Sequence, residues 1–388
     1  MNSGKTIFAQ LLEHFPQYEF SKIVTSYKGD FKIQSFTCYH QWIVMAFAQL
    51  TNRNSLRDIE ISLRAFQKKL YHIGIRGSVS RNTLSNANNV RDWRIYADLS
   101  SLLVKKARLL YVNEPIEIDV SDAIYAFDST TIDLCLALFP WAKFRKNKGA
   151  IKLHTQLDIR GSIPSFIWIT EGKTHDVNAL DILIYEQKAF YVLDRGYLDF
   201  ARLFKITLAK AFFVTRLKTN TQFSRVYSNP VDPDNGIMSD QIIKLSQPTA
   251  QKNYPDKLRR VHFYDKEHNK HYYFLTNNFS LPPLTIAKIY KARWQVELFF
   301  KWIKQHLHIK KFYGTSENAV RTQVWIAVSV YLLIAIIKQR LKIKVTSYTI
   351  LQFLSVALFE KNQLNQALMN TEILDADSSL CNQLNLFE

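Results

Sequence analysis

Little in this chain could tie it together covalently. Its three cysteines, Cys38, Cys135 and Cys381, lie far apart, with no CxxC pair and no Cys/His metal spacing, so neither a disulfide framework nor a zinc site is expected. Glycine and proline number ten each, too few for a disordered or fibrous chain. Acidic residues are scarce: 33 Asp and Glu stand against 51 Lys and Arg, an excess of 18 positive charges. Such an excess suits a polyanionic partner, either nucleic acid or an anionic membrane. A long hydrophobic run is also missing. The longest, VWIAVSVYLLIAII from Val324, has 14 residues and contains Ser329, which is short for a membrane span and reads as a buried helix. The N-terminal MNSGKTIFAQLLEHF carries Glu13 and no signal-peptide core. The expectation is a reducing, cytoplasmic setting with no membrane part.

What is present is ample apolar material, 47% of 388 residues, enough for two or three domains. Residues 1–115 read as helices. FTCYHQWIVMAFAQLTN has helical periodicity, SLRDIEISLRAFQKKLYH opens on a cap at Ser55, and SVSRNTLSNAN reads as a turn and a helix exposing Arg81, Asn82 and Asn86. That last piece fits a helix-turn-helix recognition element as well as an ordinary capped surface helix. From Glu117 the pattern turns to strands: AIYAFDSTTIDL, AIKLHTQLDI and SIPSFIWIT suggest an antiparallel meander. DVNALDILIYEQK then reads as a helix, AFYVLDRGY as a strand, YLDFARLFKITLAK as a helix and AFFVTRLK as a strand, an alternation that implies parallel neighbours. Residues 218–270 are broken by SNPVDPDNG and carry short strands, and KHYYFLTNN follows as another. From Asn370 to the end there are four acids and no Lys or Arg, a composition that reads as a disordered tail.

The segment YKARWQVELFFKWIKQHL from Tyr290, read as one helix, sets Tyr290, Arg293, Glu297 and Lys304 within a sector of roughly 60°. An ordinary charged surface face explains such a stripe as well as a site does. Two further carboxylates decide which. Asp128 sits inside a strand, where an apolar or small residue is expected. Asp194 ends a strand at its carboxyl edge, where α/β folds place function. Unpartnered charges are costly to bury, and carboxylates converging from two strands and a helix are tolerable around divalent metal. Spacing alone does not choose Asp128 over Asp122 or Asp133. Among lesser candidates, His175 and Asp176 read as a loop cap or as groups near the metal. Trp294 reads as a packing residue or a base-stacking one, and His306 and His308 as a solvated helix end.

These residues resemble a known family. Tyr290, Arg293, Glu297 and Lys304 complete the Tyr-x2-Arg-x3-Glu-x6-Lys signature of bacterial insertion-sequence transposases of the DDE type, in the IS-four branch. AFDSTTI resembles the first acidic motif and selects Asp128, while VLDRGYLD resembles the second and selects Asp194, followed by Arg195. GKTHDVNAL and FLTNN are similar too, and the resemblance spans roughly residues 30–345. It implies an α/β fold in which a ribonuclease-H-like catalytic domain, residues 116–345, carries a β-rich insertion at about 218–270. A helical DNA-end-binding domain, 1–115, would precede it, and a helical segment with an acidic tail, 346–388, would follow. The 102 residues between Asp194 and Glu297 leave room for the insertion.

The resemblance also implies an enzyme. Asp128, Asp194 and Glu297 would hold Mg2+, with Mn2+ as a substitute, and cut and rejoin DNA strands at transposon terminal inverted repeats and target DNA, as a homodimer in the synaptic complex. Tyr290, Arg293, Lys304 and Arg195 would contact DNA, as would Arg81 and Asn82. A metal-dependent nuclease or resolvase on the same fold, and a non-catalytic DNA-binding descendant, are the alternatives. Some relatives hold a flipped base on an insertion tryptophan, but no Trp occurs here between Trp168 and Trp294; Tyr254, Phe263 and Tyr264 are candidate substitutes, each of which reads more readily as core. At the end of the chain, Gln383, Leu384, Leu386 and Phe387 resemble the short peptide that docks bacterial proteins on the replication sliding clamp.

Overall fold

The computed structural model describes residues 4–146, 148–306 and 311–369, and the chain divides into two compact units, 1–113 with 137–141 and 301–388, and 114–136 with 142–300. Within the first of these units the helix Glu317–Arg340 packs against the N-terminal helices Arg94–Tyr111 and Cys38–Leu50.

The helical unit is built as its sequence suggests. Ser55 caps Leu56–Ala65 by accepting from Asp58 N at 3.1 Å, and Ser80 caps Arg81–Val90 by accepting from Thr83 N at 3.1 Å, each satisfying an amide that has no partner within the helix. The apolar run forms the middle of the 24-residue helix Glu317–Arg340, which by length and composition could cross a membrane, yet its apolar window is 89% buried within the described residues. Ser329 interrupts that run for a reason: its hydroxyl accepts from the Trp42 indole at 2.8 Å and donates to Ile326 O at 2.7 Å.

The other unit is organised on one sheet. Its strands are β1 Ile124–Leu134, β2 Lys143–Arg145, β3 Lys148–Asp158, β4 Ile163–Glu171, β5 Phe190–Leu193, β6 Phe212–Arg216, β7 Phe223–Asn229, β8 Ile237–Leu245, β9 Leu258–Asp265 and β10 Lys270–Thr276. β1, β3 and β4 form the antiparallel meander, and β5 and β6 then join β1 in parallel, giving the order β4-β3-β1-β5-β6 with β2 beside the start of β3. The region 218–270 continues the same sheet through β10, β9, β8 and β7, all antiparallel. It is held internally by a buried bidentate pair, Arg259 Nε and Nη2 each 2.8 Å from the Asp240 carboxylate. One face packs a core of Tyr125, Phe127, Tyr191, Leu193, Leu203, Ile206 and Tyr254, and the helix Pro283–Lys291 packs on the sheet as well.

Two sequence readings fail here, and one alternative is decided. DVNALDILIYEQK is not a helix: only a 3-10 stretch, Asp176–Asp181, forms. The rest is committed elsewhere. Tyr125 donates to Glu186 Oε2 at 2.6 Å, Tyr191 accepts from Glu186 N at 2.8 Å, and Tyr185 donates to Leu180 O at 2.7 Å. Tyr254 is core, fully buried with its hydroxyl on Thr207 Oγ1 at 2.8 Å. Trp294, read as a packing residue, is 48% exposed.

Candidate active site

The parallel register creates the site. Ile124 to Phe127 of β1 pair with Phe190 to Leu193 of β5. Asp128 and Asp194 are the next residues on these two strands, so they stand side by side, one strand spacing of about 4.8 Å apart along the sheet. Alternation puts both on the face shared by Ala126 and Val192. There β5 stops and β1 runs on to Leu134, opening the sheet at the carboxyl end of a parallel strand. Asp194 then caps the short turn Arg195–Tyr197, accepting from Gly196 N at 3.4 Å.

Glu297 arrives from a helix, but not from the single helix the sequence suggested. Pro283–Lys291 ends, a tight turn follows in which Arg293 N donates to Tyr290 O and Val296 N to Arg293 O, both at 3.1 Å, and Trp294–His306 begins. Tyr290 therefore closes one helix and Glu297 lies in the first turn of the next. The two are brought together by the turn, not by an unbroken helical face. Arg293, at the turn, reaches both carboxylates: its guanidinium is 3.0 Å from Asp128 Oδ2 and 2.6 Å from Glu297 Oε1. Side-chain exposures are 15% for Arg293, 20% for Asp128 and 33% for Glu297, so the bridge is partly desolvated.

Burial pushes the Asp128 carboxyl up to about 6. The neighbouring Asp194 and Glu297 charges push the same way, against the Ser129 amide at 2.8 Å and Arg293. Crowded carboxylates with one cation between them are the donor set a hard divalent ion takes. Tyr290 is buried, its ring 4.8 Å from Phe274. Its hydroxyl lies against the Arg293 guanidinium without a well-formed hydrogen bond to it, and feels the charges of Asp194 and Arg216; burial first of all raises it to about 12.

The other sequence candidates are more scattered. Lys304 is half-buried two turns beyond Glu297 on the same helix, and Arg195 is exposed beside Asp194. Arg81 and Asn82 are exposed at the start of their helix in the other unit. His175 is exposed and makes no side-chain cap. The side chain of His306, together with His308, Gln383, Leu384, Leu386 and Phe387, lies outside the described residues.

Two groups escaped the sequence reading. On the opposite face of β1 and β3, His154 is fully buried, 3.0 Å from Thr170 Oγ1, with Asp176 Oδ1 3.8 Å from its Nδ1; Lys152 pairs with the same Asp176 oxygen at 3.1 Å. Burial lowers the His154 imidazole to about 4. The second group is Arg216, half-buried at the end of β6. Only strand register, which a single sequence does not give, places it beside Asp194. A further trio, Asp265, Glu267 and His268, holds its potential ligand atoms within 4.8 Å of one another. It is accounted for as the β9–β10 turn, where Asp265 accepts from the amides of Glu267 and His268 and pairs with His268 Nδ1 at 2.9 Å.

The site thus sets two aspartates at the end of the parallel β1/β5 pairing and links Glu297 to one of them through Arg293. A transposase DDE domain family matches residues 121–333, and a domain family of unknown function matches residues 3–76. The chain belongs to the DDE transposase family. It is 30% identical over 291 residues to y4zB, a protein of Sinorhizobium fredii named as a transposase, covering 74% of this chain and 80% of that one. It is also 30% identical over 209 residues to a Geobacillus stearothermophilus protein named as the transposase of insertion sequence element IS5377, covering 53% and 54%. A solved piggyBac transposase synaptic complex with hairpin DNA aligns with TM-score 0.48 and 11% identity, over 98% of this chain and 85% of that one.

Proposed function

We propose that the chain is the transposase of a bacterial insertion sequence, in the IS-four branch marked by Tyr290, Arg293, Glu297 and Lys304, and that it cleaves and joins DNA with Asp128, Asp194 and Glu297 as its metal-holding triad. The observation that carries this is the matched position of Asp128 and Asp194 at the end of the parallel β1/β5 pairing, with Glu297 drawn to Asp128 through Arg293. The strand order β4-β3-β1-β5-β6 supports a ribonuclease-H-like catalytic core.

Mg2+, with Mn2+ as a substitute, would activate the attacking water or 3′ hydroxyl and stabilise the leaving oxygen. The chain's own residues do the rest. The three carboxylates present oxygens from two rigid strands and a helix. Arg293 balances their charge and would turn toward phosphate when the cation takes over that role, and Lys304, Tyr290 and Arg195 would hold the strand being cut. Residues 1–115 would bind the terminal inverted repeats, with Arg81 and Asn82 among the contacts, and the protein would act as a homodimer on DNA in the cytoplasm. The tail would dock on the sliding clamp through Gln383, Leu384, Leu386 and Phe387.

Asp128→Asn, Asp194→Asn and Glu297→Gln should each lower metal-dependent cleavage of terminal-repeat DNA by about a thousandfold or more, while end binding is kept. Near wild-type cleavage by any one of them removes that residue from the triad. Cleavage without joining in a strand-transfer assay would make the protein a nuclease on the same fold.

A further inference from the structure

The register that aligns Asp128 with Asp194 extends one strand further. Leu193 of β5 pairs with Thr215 of β6, so Arg216 stands beside Asp194 as Asp194 stands beside Asp128. Thr215 Oγ1 donates to Asp194 O at 3.3 Å across that step. Asp128, Asp194 and Arg216 thus lie at one level and on one face of three consecutive parallel strands, where β5 and β6 end and β1 runs on.

The absence of an ion pair among the described residues sets Arg216 apart from Arg259, while Arg260 and Arg145 also lie over aromatic rings. Arg259 is locked onto Asp240, and Arg260 donates to Gln241 Oε1 at 2.9 Å. Among the described residues no carboxylate forms an ion pair with Arg216. Its guanidinium instead lies over the Tyr272 ring, 5.1 Å from the centroid. Tyr272 stacks nearly parallel to Phe274, 6.0 Å away, and Phe274 abuts Tyr290. A guanidinium held over an aromatic face leaves N–H donors for other partners, and their planar fork fits phosphate. Desolvation on the ring side sharpens the preference for an anion.

We infer that Arg216 and Tyr272 form a nucleotide-holding station beside the carboxylates, Arg216 taking a backbone phosphate of the DNA strand at the site and the Tyr272 ring bracing the guanidinium and a neighbouring base or sugar. This rests on the DNA-cleaving reading above and assigns the strand's path: from Asp128 across Asp194 toward β10, onto the inserted sheet. Tyr272 then supplies an aromatic surface in a region without tryptophan.

The test is binding of the full-length chain to a fluorescein-labelled 30-base-pair duplex, followed by anisotropy from 0.05 to 0.3 M KCl. Arg216→Ala should weaken binding roughly tenfold at low salt and reduce the slope of log affinity against log salt by about one. Arg216→Lys should restore the slope. Tyr272→Ala should weaken binding roughly tenfold, and Tyr272→Phe should bind as wild type. Circular dichroism melting of the same samples separates unfolding from lost contact, and the Lys and Phe variants keep the test decisive if the Ala variants do not fold. An unchanged slope in Arg216→Ala, or a reduced slope that Arg216→Lys does not restore, overturns the inference. If that happens while cleavage still depends on Asp128, the carboxylate reading stands alone; if the wild type binds no DNA, both fall.

Discussion

Arg293 is the residue on which the site's electrostatics turn. It lies between two carboxylates that repel one another, and without it Asp128 would keep a partly buried charge against Asp194 and Glu297. Arg293→Ala should therefore lower the stability of metal-free protein by about 1–3 kcal/mol, and added Mn2+ should stabilise the variant more than it stabilises wild type, because the cation takes over a vacated role. Differential scanning fluorimetry with and without Mn2+ checks this; equal Mn2+-induced shifts in the two proteins would refute it. His154 offers a pH test away from the carboxylates. Its folded value of about 4 lies below the ordinary 6.5, so between those values the unfolded chain binds more protons than the folded one. Its contribution is complete above pH 6.5 and is lost as pH falls toward 4, on the order of 2–3 kcal/mol. His154→Gln should flatten the pH dependence of urea unfolding over that window, and an unchanged profile would show that the imidazole does not titrate there. Both carboxylates of the strands were legible as residues out of place in their surroundings. Arg216 and His154 were not, because an arginine at a strand end and a histidine inside an apolar strand have ordinary explanations until register shows their neighbours.

At the scale of elements, the inserted strands are the revealing case. Their short, broken patterns read as a β-rich insertion, and hydrogen bonding joins them to the catalytic sheet through β10 against β6. What fixes that extension internally is polar: Arg259 and Asp240 are each only 4% exposed, and Arg259 also donates to Leu281 O at 2.6 Å. Removing one partner of such a pair leaves a buried charge uncompensated. Arg259→Ala should cost about 3–5 kcal/mol and should loosen β8 and β9 first, visible as faster amide exchange in those strands than in β1 and β3. Uniform loss of protection across the sheet would mean the extension has no stability of its own. The helices were legible where caps and periodicity agreed, as at Ser55 and Ser80. They failed at residues 182–188, where the Tyr185 ring packs on Tyr191 of β5 and the Glu186 carboxylate accepts from Tyr125 of β1, and at 292–293, where a tight turn splits one apparent helix into two.

For the whole molecule, net charge and family point the same way. An excess of 18 positive charges gives long-range attraction to DNA, which salt should weaken steeply. The carboxyl-terminal residues carry the opposite balance, with two large apolar side chains, Leu386 and Phe387, near the end. Such anchors fill pockets on a partner, and a peptide that must order on binding does so with modest affinity, about micromolar. A peptide of the last 12 or so residues should bind purified bacterial sliding clamp in a titration, and a Leu386→Ala, Phe387→Ala version should not. Equal binding by the two, or none by either, removes the clamp as a partner.

The sequence by itself determined the basic charge, the helical and sheet-rich halves, the strands that carry Asp128 and Asp194, and the family these residues resemble. Those features are local, written in composition, periodicity and short motifs. Tertiary structure decided which residues are neighbours. It aligned Asp128, Asp194 and Arg216 on three strands, bent the chain at Arg293 so that one guanidinium spans two carboxylates, and set His154 against Asp176. Such juxtapositions depend on the pairing register of strands far apart in the chain, and a shift of one residue would turn every side chain to the other face. The long-range packing that selects one register is a property of the folded whole.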